Sequence, residues 1–342
     1  MEIESVSNCP VCNSDGSIFL KECHDSICDI PGTWSFRKCN QCQSLWMDPR
    51  PTKEMIPSLY PKYYTHTQPS TTFFQNPEGI LNQLKFSAKL GILEHSYAYQ
   101  GLTKSAPFRI GKVLGKILSF FPIVSKWGGK TVRYVNHRSH GKLLDVGCGN
   151  GSFLSLMKDL GWQTFGIELD PEAVKAAKFN ELNVFQCGIE DADLELASYD
   201  AITMNHVLEH CDDPKETITK LAGSLKSGGL LVSISPNPTG VIAQWFGSNW
   251  RGLEPPRHLV LPSSKGYILL LQDLGFQVEV WTNSTFMLTK WMCFQSMSIR
   301  ETGKIHGYQK WLIPKFLGIL AQLISFISNN SGEEVICVAV KK

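Results

Sequence analysis

Leu143-Leu144-Asp145-Val146-Gly147-Cys148-Gly149-Asn150-Gly151 is the stretch that decides the fold. A short strand runs into a turn with glycine at every second position, and a helical pattern follows from Ser152 to Leu160. Glycine lets the backbone turn sharply and approach a ligand with no Cβ in the way. The helix beyond the turn presents oriented N–H donors. Downstream, Gln163–Glu168 reads as a second strand, and Asp170-Pro171 opens a helix through Phe179 with proline in its first turn. Asn183–Gln186 and Tyr199–Asn205 read as the third and fourth strands. Asp213-Pro214 starts a helix that Ser227-Gly228-Gly229 is expected to end, before a fifth strand over Leu230–Ser235. Alternating strands and helices predict a parallel sheet with right-handed crossovers.

The dinucleotide fingerprint G-x-G-x-x-G needs its third glycine where Ser152 stands, and Asp145 would repel a diphosphate. A nucleoside with an amino-acid tail fits better, with Asp145 facing its ammonium and Glu168 holding the ribose hydroxyls. These residues resemble motif I of the class I S-adenosylmethionine-dependent methyltransferases. Four further stretches resemble the family in order: Gly166-Ile167-Glu168-Leu169-Asp170, Cys187-Gly188-Ile189-Glu190-Asp191, Tyr199 to His206, and Leu225-Lys226-Ser227-Gly228-Gly229. The resemblance runs from Gly141 to the end of the chain. It implies an α/β fold: a Rossmann-like, seven-stranded sheet, mostly parallel, closed by an antiparallel hairpin of Phe276–Thr282 and Val335–Val340. It also implies S-adenosylmethionine held by Asp145, Gly147, Cys148, Gly149, Gly151, Glu168 and Leu169, with Glu190 or Asp191 at the adenine and Asn205 at the fourth strand's end.

With 43% hydrophobic and 19% charged residues, the 342-residue chain has material for a packed core and is not disordered, collagen-like or coiled-coil. A net charge of +2 excludes a polycation. The opening MEIESVSNCP lacks the apolar segment of a secretory signal, and eleven cysteines then point to a reducing compartment, with the cytoplasm expected. The expected organisation is a zinc-ribbon module over residues 1–50, a helical cap or linker over 51–140, and a methyltransferase domain over 141–342. The last would contain an acceptor loop (236–262) and a lid insertion (284–332).

Cys9-x2-Cys12 and Cys39-x2-Cys42 are paired knuckles separated by 26 residues. Two such pairs complete a closed tetrahedral zinc shell, which replaces a core that 50 residues cannot build alone. Cys23, His24 and Cys28 lie between the knuckles as substitute ligands with poorer spacing. This start, followed by Met47-Asp48-Pro49-Arg50-Pro51 and Tyr60-Pro61-Lys62-Tyr63-Tyr64, resembles a bacterial methyltransferase subgroup of surface-polysaccharide and sugar-modification pathways. The resemblance implies a small-molecule or glycan acceptor.

A hydroxyl acceptor needs a base, and histidine is the usual choice. His258, in Trp250-Arg251-Gly252-Leu253-Glu254-Pro255-Pro256-Arg257-His258, is the preferred one, with Trp245, Phe246 and Trp250 available to stack on a sugar. His206 and His210, in His206-Val207-Leu208-Glu209-His210, are the other two. The H-x-x-E-H pattern also occurs in zinc peptidases, but there it lies inside a long helix, and here Asp212-Asp213-Pro214 interrupts at once. The stretch also resembles the loop after strand four of ubiquinone-pathway methyltransferases, where acidic residues and a histidine can hold a divalent ion. His206 stands where an acid is expected.

Between His95 and Leu144 there are nine Lys or Arg residues and no Asp or Glu. Lys112 and Lys116 share one helical face, and Val113, Ile117 and Phe120 or Phe121 share another, a pattern suited to an anionic membrane surface, a phosphorylated substrate or a helical cap with solvated lysines. Leu312–Ser328 is apolar with polar or small residues at helical period up to Asn329, which reads as a lid or interfacial helix. Two other classes stay open: an RNA methyltransferase gripping its substrate with the ribbon, and a non-enzymatic interaction protein. The ribbon's basic residues are only Lys21, Arg37, Lys38 and Arg50, which argues against nucleic acid, and the intact glycine turn argues against the second.

Overall fold

Alternating apolar positions and two cysteine turns make the first fifty residues a set of short strands in the computed structural model, which describes residues 2–60, 77–306, 308, 312–328 and 330–342. Pro61–Tyr64 and Asn329, singled out above, lie outside the described residues. The strands are β1 (Ile3–Glu4), β2 (Gly16–Cys23), β3 (Trp34–Cys39), β4 (Leu45–Met47) and β5 (Arg50–Pro51). Helices α1 (Ile80–Ser96), α2 (Gly111–Ser119) and α3 (Pro122–Gly129) follow. Next come β6 (Lys142–Val146), α4 (Ser152–Asp159), β7 (Gln163–Glu168), α5 (Pro171–Phe179), β8 (Asn183–Gln186) and β9 (Tyr199–Asn205). The chain continues through α6 (Pro214–Ser224), β10 (Leu225–Pro236), α7 (Val241–Phe246), β11 (Val260–Leu261) and α8 (Ser264–Asp273). It closes with β12 (Phe276–Asn283), α9 (Phe286–Thr302), α10 (Leu312–Ile327) and β13 (Glu334–Lys341).

Seven strands form one sheet in the order β12-β13-β10-β9-β6-β7-β8. β6, β7 and β8 pair in parallel, and β12 pairs antiparallel with β13 from Phe276↔Lys341 to Asn283↔Glu334. This is the expected seven-stranded, mostly parallel architecture with its closing hairpin. Helix starts follow local chemistry. Asp170 caps α5 by accepting from Glu172 N–H at 3.0 Å, with Pro171 behind it, and Ser263 caps α8 by accepting from Gly266 N–H at 3.0 Å. One boundary departs from the sequence expectation. α6 ends at Ser224, so Ser227-Gly228-Gly229 lies inside β10 and does not stop the helix. Leu225 is fully buried and Lys226 pairs with Asp200 at 2.7 Å, which draws the chain into extended form before the glycines.

Two compact units are distinguished. One comprises Met1–Tyr63, Met204–Gly223 and Ser233–Lys342. In it β2, β3 and β4 acquire a fourth strand, because β11 pairs antiparallel with β4 (Val260↔Trp46, Leu261↔Leu45). Cys23, Trp34, Phe36 and Met47 share one core with Ile242, Phe246 and Trp250 and with Met292 and Cys293 of α9. The N-terminal strands therefore bury apolar surface beyond their own fifty residues, and α9, in the segment read as a lid, has one face in that core. Phe246 and Trp250 belong to the same core, which corrects their reading as sugar-stacking aromatics. The other unit comprises Tyr64–Thr203 and Ser224–Val232 and holds α1 to α5, β6 to β8 and the glycine turn.

Candidate active site

The glycine turn takes the form its sequence demands. Gly147, Gly149 and Gly151 have φ of 67°, 54° and 80°, left-handed values that side chains disfavour. Glu168 closes β7 and folds its carboxylate back over the turn. One oxygen accepts from Gly149 N–H at 2.7 Å, and the other accepts from Leu169 N–H at 2.8 Å and Asp170 N–H at 3.0 Å. Cys148 is buried in the turn, and burial raises its thiol pKa strongly. Leu169 is half exposed, and Glu190 and Asp191 stand exposed in the turn after β8.

Asp145 is fully buried, and burial raises its pKa even against the charge of Arg133. One carboxylate oxygen receives the Arg133 guanidinium and the Thr203 hydroxyl, the latter at 2.7 Å, and the second oxygen is buried with no partner. The Arg133 guanidinium lies 3.8 Å from the Phe153 ring centroid, and its backbone is left-handed at φ 46°. Sequence reasoning missed Arg133 because it is one of nine basic residues in its stretch; nothing local marks it as the one drawn inward.

In the other unit, His206, His210, Arg251, Glu254, His258, Trp291, Glu333 and Glu334 are among the residues lining a cavity of about 300 Å³. It holds all three histidines expected as bases, at the end of β9 and on the Pro255-Pro256 turn. They differ in chemistry. His206 keeps 41% of its side chain exposed; burial opposes its charge, but carboxylates of Glu209 (3.2 Å) and Glu334 (3.4 Å) on its two nitrogens outweigh that and raise its pKa. It is a cation at neutral pH. His258 is buried, Nδ1 donates to the Gly252 carbonyl at 2.8 Å, and desolvation lowers its pKa to about 4. Nε2 of this neutral ring carries the lone pair, 3.9 Å from Glu254. His210 Nδ1 lies 3.0 Å from the Arg257 carbonyl and 2.8 Å from the Tyr60 hydroxyl, with its ring 4.7 Å from that of His258.

Glu333 and Glu334 of this cavity escaped the sequence reading, and Glu254 was quoted within the Trp250–His258 stretch without a role. Burial raises Glu333 to about 8, opposed by the Ile242 N–H and reinforced by Glu334, and its Oε2 is buried without a partner. Glu254 is held strongly anionic: burial opposes its charge, and the permanent cations Arg251 and Arg257 overcome it. Asn205, the last residue of β9, is half-buried.

A methyltransferase-domain family model matches residues 124–280. The ubiquinone biosynthesis O-methyltransferase of Xanthomonas campestris pv. campestris is 38% identical over 163 residues, 42% of this chain and 68% of the relative. This chain belongs to the S-adenosylmethionine-dependent methyltransferases. A relative of the same name from Idiomarina loihiensis is 32% identical over 137 residues, 36% of this chain; the chain spans 56% of that protein's length, and 44% of a Xanthomonas axonopodis relative. Among solved structures, an S-adenosylmethionine-dependent methyltransferase of Archaeoglobus fulgidus aligns at TM-score 0.41 and 19% identity, over 59% of this chain and 86% of that one. A possible histamine N-methyltransferase of Thermotoga maritima aligns at TM-score 0.43 and 17% identity, over 74% and 100%.

The methyltransferase also brings Cys9, Cys12, Cys39 and Cys42 together, with all four sulfurs within 4.8 Å of one another. Cys9 Sγ and Cys42 Sγ lie 3.7 Å apart, and this contact favours the thiolate at Cys42. Cys12 and Cys39 stand 3.4 Å apart. Cys23 is packed in the hydrophobic core and His24 faces the Gly32 carbonyl, so neither joins the cluster. A second donor group, Glu209, His210 and His258, also has its ligand atoms within 4.8 Å. His206, which stands where the resemblance expects an acid, is not part of it, and both its nitrogens face carboxylates. Glu209 Oε2 is buried and unpartnered, so this trio fits a divalent cation.

Proposed function

We propose that this methyltransferase moves the methyl group of S-adenosylmethionine to a hydroxyl of a small acceptor held in the His206–Glu334 cavity. Methyl transfer is a displacement at an activated sulfonium, so positioning supplies most of the rate. The glycine turn receives the methionine end, where the unpartnered Asp145 oxygen suits the ammonium and Arg133 suits the carboxylate. Glu168 takes the ribose hydroxyls, and Glu190 or Asp191 the adenine amine.

The observation that carries the hydroxyl reading is the placement of His258 in the cavity lining, with Nδ1 fixed on the Gly252 carbonyl and Nε2 left as the acceptor. A proton arriving there is stabilised by anionic Glu254, 3.9 Å away. His206, already a cation, positions the acceptor, and His210 orients His258. A divalent ion on Glu209, His210 and His258 would take the Nε2 lone pair of His258, and would then supply a Lewis acid to the hydroxyl in place of that base. The relatives' names favour a quinone-type O-methylation over a glycan acceptor, and one aromatic, Trp291, lines the cavity. The four N-terminal cysteines hold a structural zinc in this reading, with no open position for catalysis.

Calorimetric titration with S-adenosylhomocysteine, on wild type and Glu168→Ala, tests the cofactor half. Binding in the wild type that weakens at least tenfold in the variant supports it; no binding by folded wild type overturns it. Radiolabelled methyl transfer to a soluble catechol and to nucleotide-linked sugars then tests the acceptor. Label on the catechol oxygen supports the reading, and label on the sugars alone replaces it.

A further inference from the structure

Helix α2 has one face packed on α1 and one that is exposed among the described residues. Gly111 and Gly115 lie against Ser87 and Gly91 of α1, so close that a Cβ on either would strike the facing backbone. That crossing fixes the helix rotation. Val113 and Ile117, then Phe120 just past the helix end, fall at i, i+4 and i+7 and point outward. Lys112 and Lys116 run exposed along the edge of this stripe. The pattern continues into α3, where Phe121, Ile123 (72% exposed) and Trp127 are open as well. An apolar run of this extent marks an interaction surface, since isolated exposed residues are the ordinary case.

Charge selects the occupant. Lys112 and Lys116 are exposed on α2 and no Asp or Glu lies between His95 and Leu144, whereas Arg133, Arg138 and Lys142 of the same stretch are paired with Asp145, Asp200 and Glu195. A second copy meeting this face would bring like charges together, which costs affinity. An anionic bilayer answers both features: its headgroups attract the lysines, its interfacial layer takes up Val113, Ile117 and Phe120, and tryptophan is favoured at headgroup depth. We propose that α2 and the start of α3 are an interfacial docking surface for membranes rich in anionic phospholipid. The mode is lying on the surface; no helix among the described residues is long and apolar enough to cross a membrane.

Vesicle co-sedimentation of the full chain tests this, with phosphatidylglycerol–phosphatidylethanolamine vesicles against pure phosphatidylcholine. Sedimentation with the anionic vesicles alone, falling as salt rises, is expected. Lys112→Ala/Lys116→Ala should lower the partition coefficient about fivefold per lysine, and Val113→Ser/Ile117→Ser should lower it at least as far. Both variants alter exposed positions, and retained S-adenosylhomocysteine binding reports that they fold. No sedimentation of the wild type overturns the proposal, as does sedimentation untouched by either variant. Concentration-dependent self-association that disappears in Val113→Ser/Ile117→Ser, without vesicle binding, assigns the face to a second copy instead.

Discussion

Arg257 and Asp25, 232 positions apart, share two hydrogen bonds of 3.0 and 2.8 Å in a setting closed to solvent. The same aspartate accepts the N–H groups of Ile27, Cys28 and Ile30, and the same arginine reaches Glu254 at 3.1 Å. The loop between β2 and β3 is thereby fixed to the turn that carries His258. Breaking a buried pair from one side leaves the other charge uncompensated, at a cost of about 3–5 kcal/mol. Arg257→Ala should lose about that much stability in urea denaturation. Arg257→Lys keeps the charge without the planar fork and should fall between the two. Equal stability of Arg257→Ala and wild type would show the pair to be idle.

Arg133 is expected to matter to cofactor affinity more than any other basic residue in its stretch. Charge-assisted hydrogen bonds contribute about 1.5–3 kcal/mol each. Arg133→Met should therefore weaken S-adenosylhomocysteine binding about ten- to hundredfold by calorimetry, while Lys112→Ala leaves it unchanged. Equal affinity in the two variants would remove Arg133 from the site.

His258→Gln should lower the turnover rate for a hydroxyl acceptor by about 10²–10⁴, the usual contribution of a positioned base. S-adenosylhomocysteine affinity should stay at the wild-type value. A variant that turns over normally would transfer the base role to another group of the cavity.

Glu333 sets a pH dependence of stability. Its folded pKa of about 8 lies above the ordinary value of 4.5, so the native state binds more protons between these limits. The contribution is fully present below about pH 4.5 and is lost as pH rises through about 8. Glu333→Gln stays neutral throughout. Relative to wild type it should gain a few kcal/mol between pH 5 and pH 9 in denaturant titrations. A pH-independent difference between the two proteins would rule out a raised Glu333.

One zinc per chain is expected from metal analysis, lost in Cys12→Ser. Because β4 pairs with β11, removing the metal with a strong chelator should perturb more than the first fifty residues. A change in tryptophan fluorescence, with Trp46 and Trp250 both buried, is the readout. Full retention of fluorescence and stability without metal would make the cluster dispensable.

Local sequence determined the elements that obey local rules. Alternate glycines after Leu143–Val146 impose a left-handed turn wherever the chain goes, Asp170-Pro171 starts a helix by its own hydrogen bond, and paired C-x-x-C knuckles bring thiols together over short loops. The alternating strands and helices of the sheet were legible for that reason, while the closing hairpin and the cofactor were implied by the resemblance that these motifs carry. Tertiary structure alone decided which polar groups lost their water. Nothing local separates Arg133 from Lys130, or His258 from His206. Arg133 is distinguished by the buried carboxylate of Asp145, His258 by full desolvation against the Gly252 carbonyl, and His206 by Glu334, 128 positions away, joining its near neighbour Glu209. Trp250 and Phe246 read as surface aromatics until α9 packs over them. Burial and charge pairing depend on neighbours that are far apart in sequence, and the chemistry of this site follows from them.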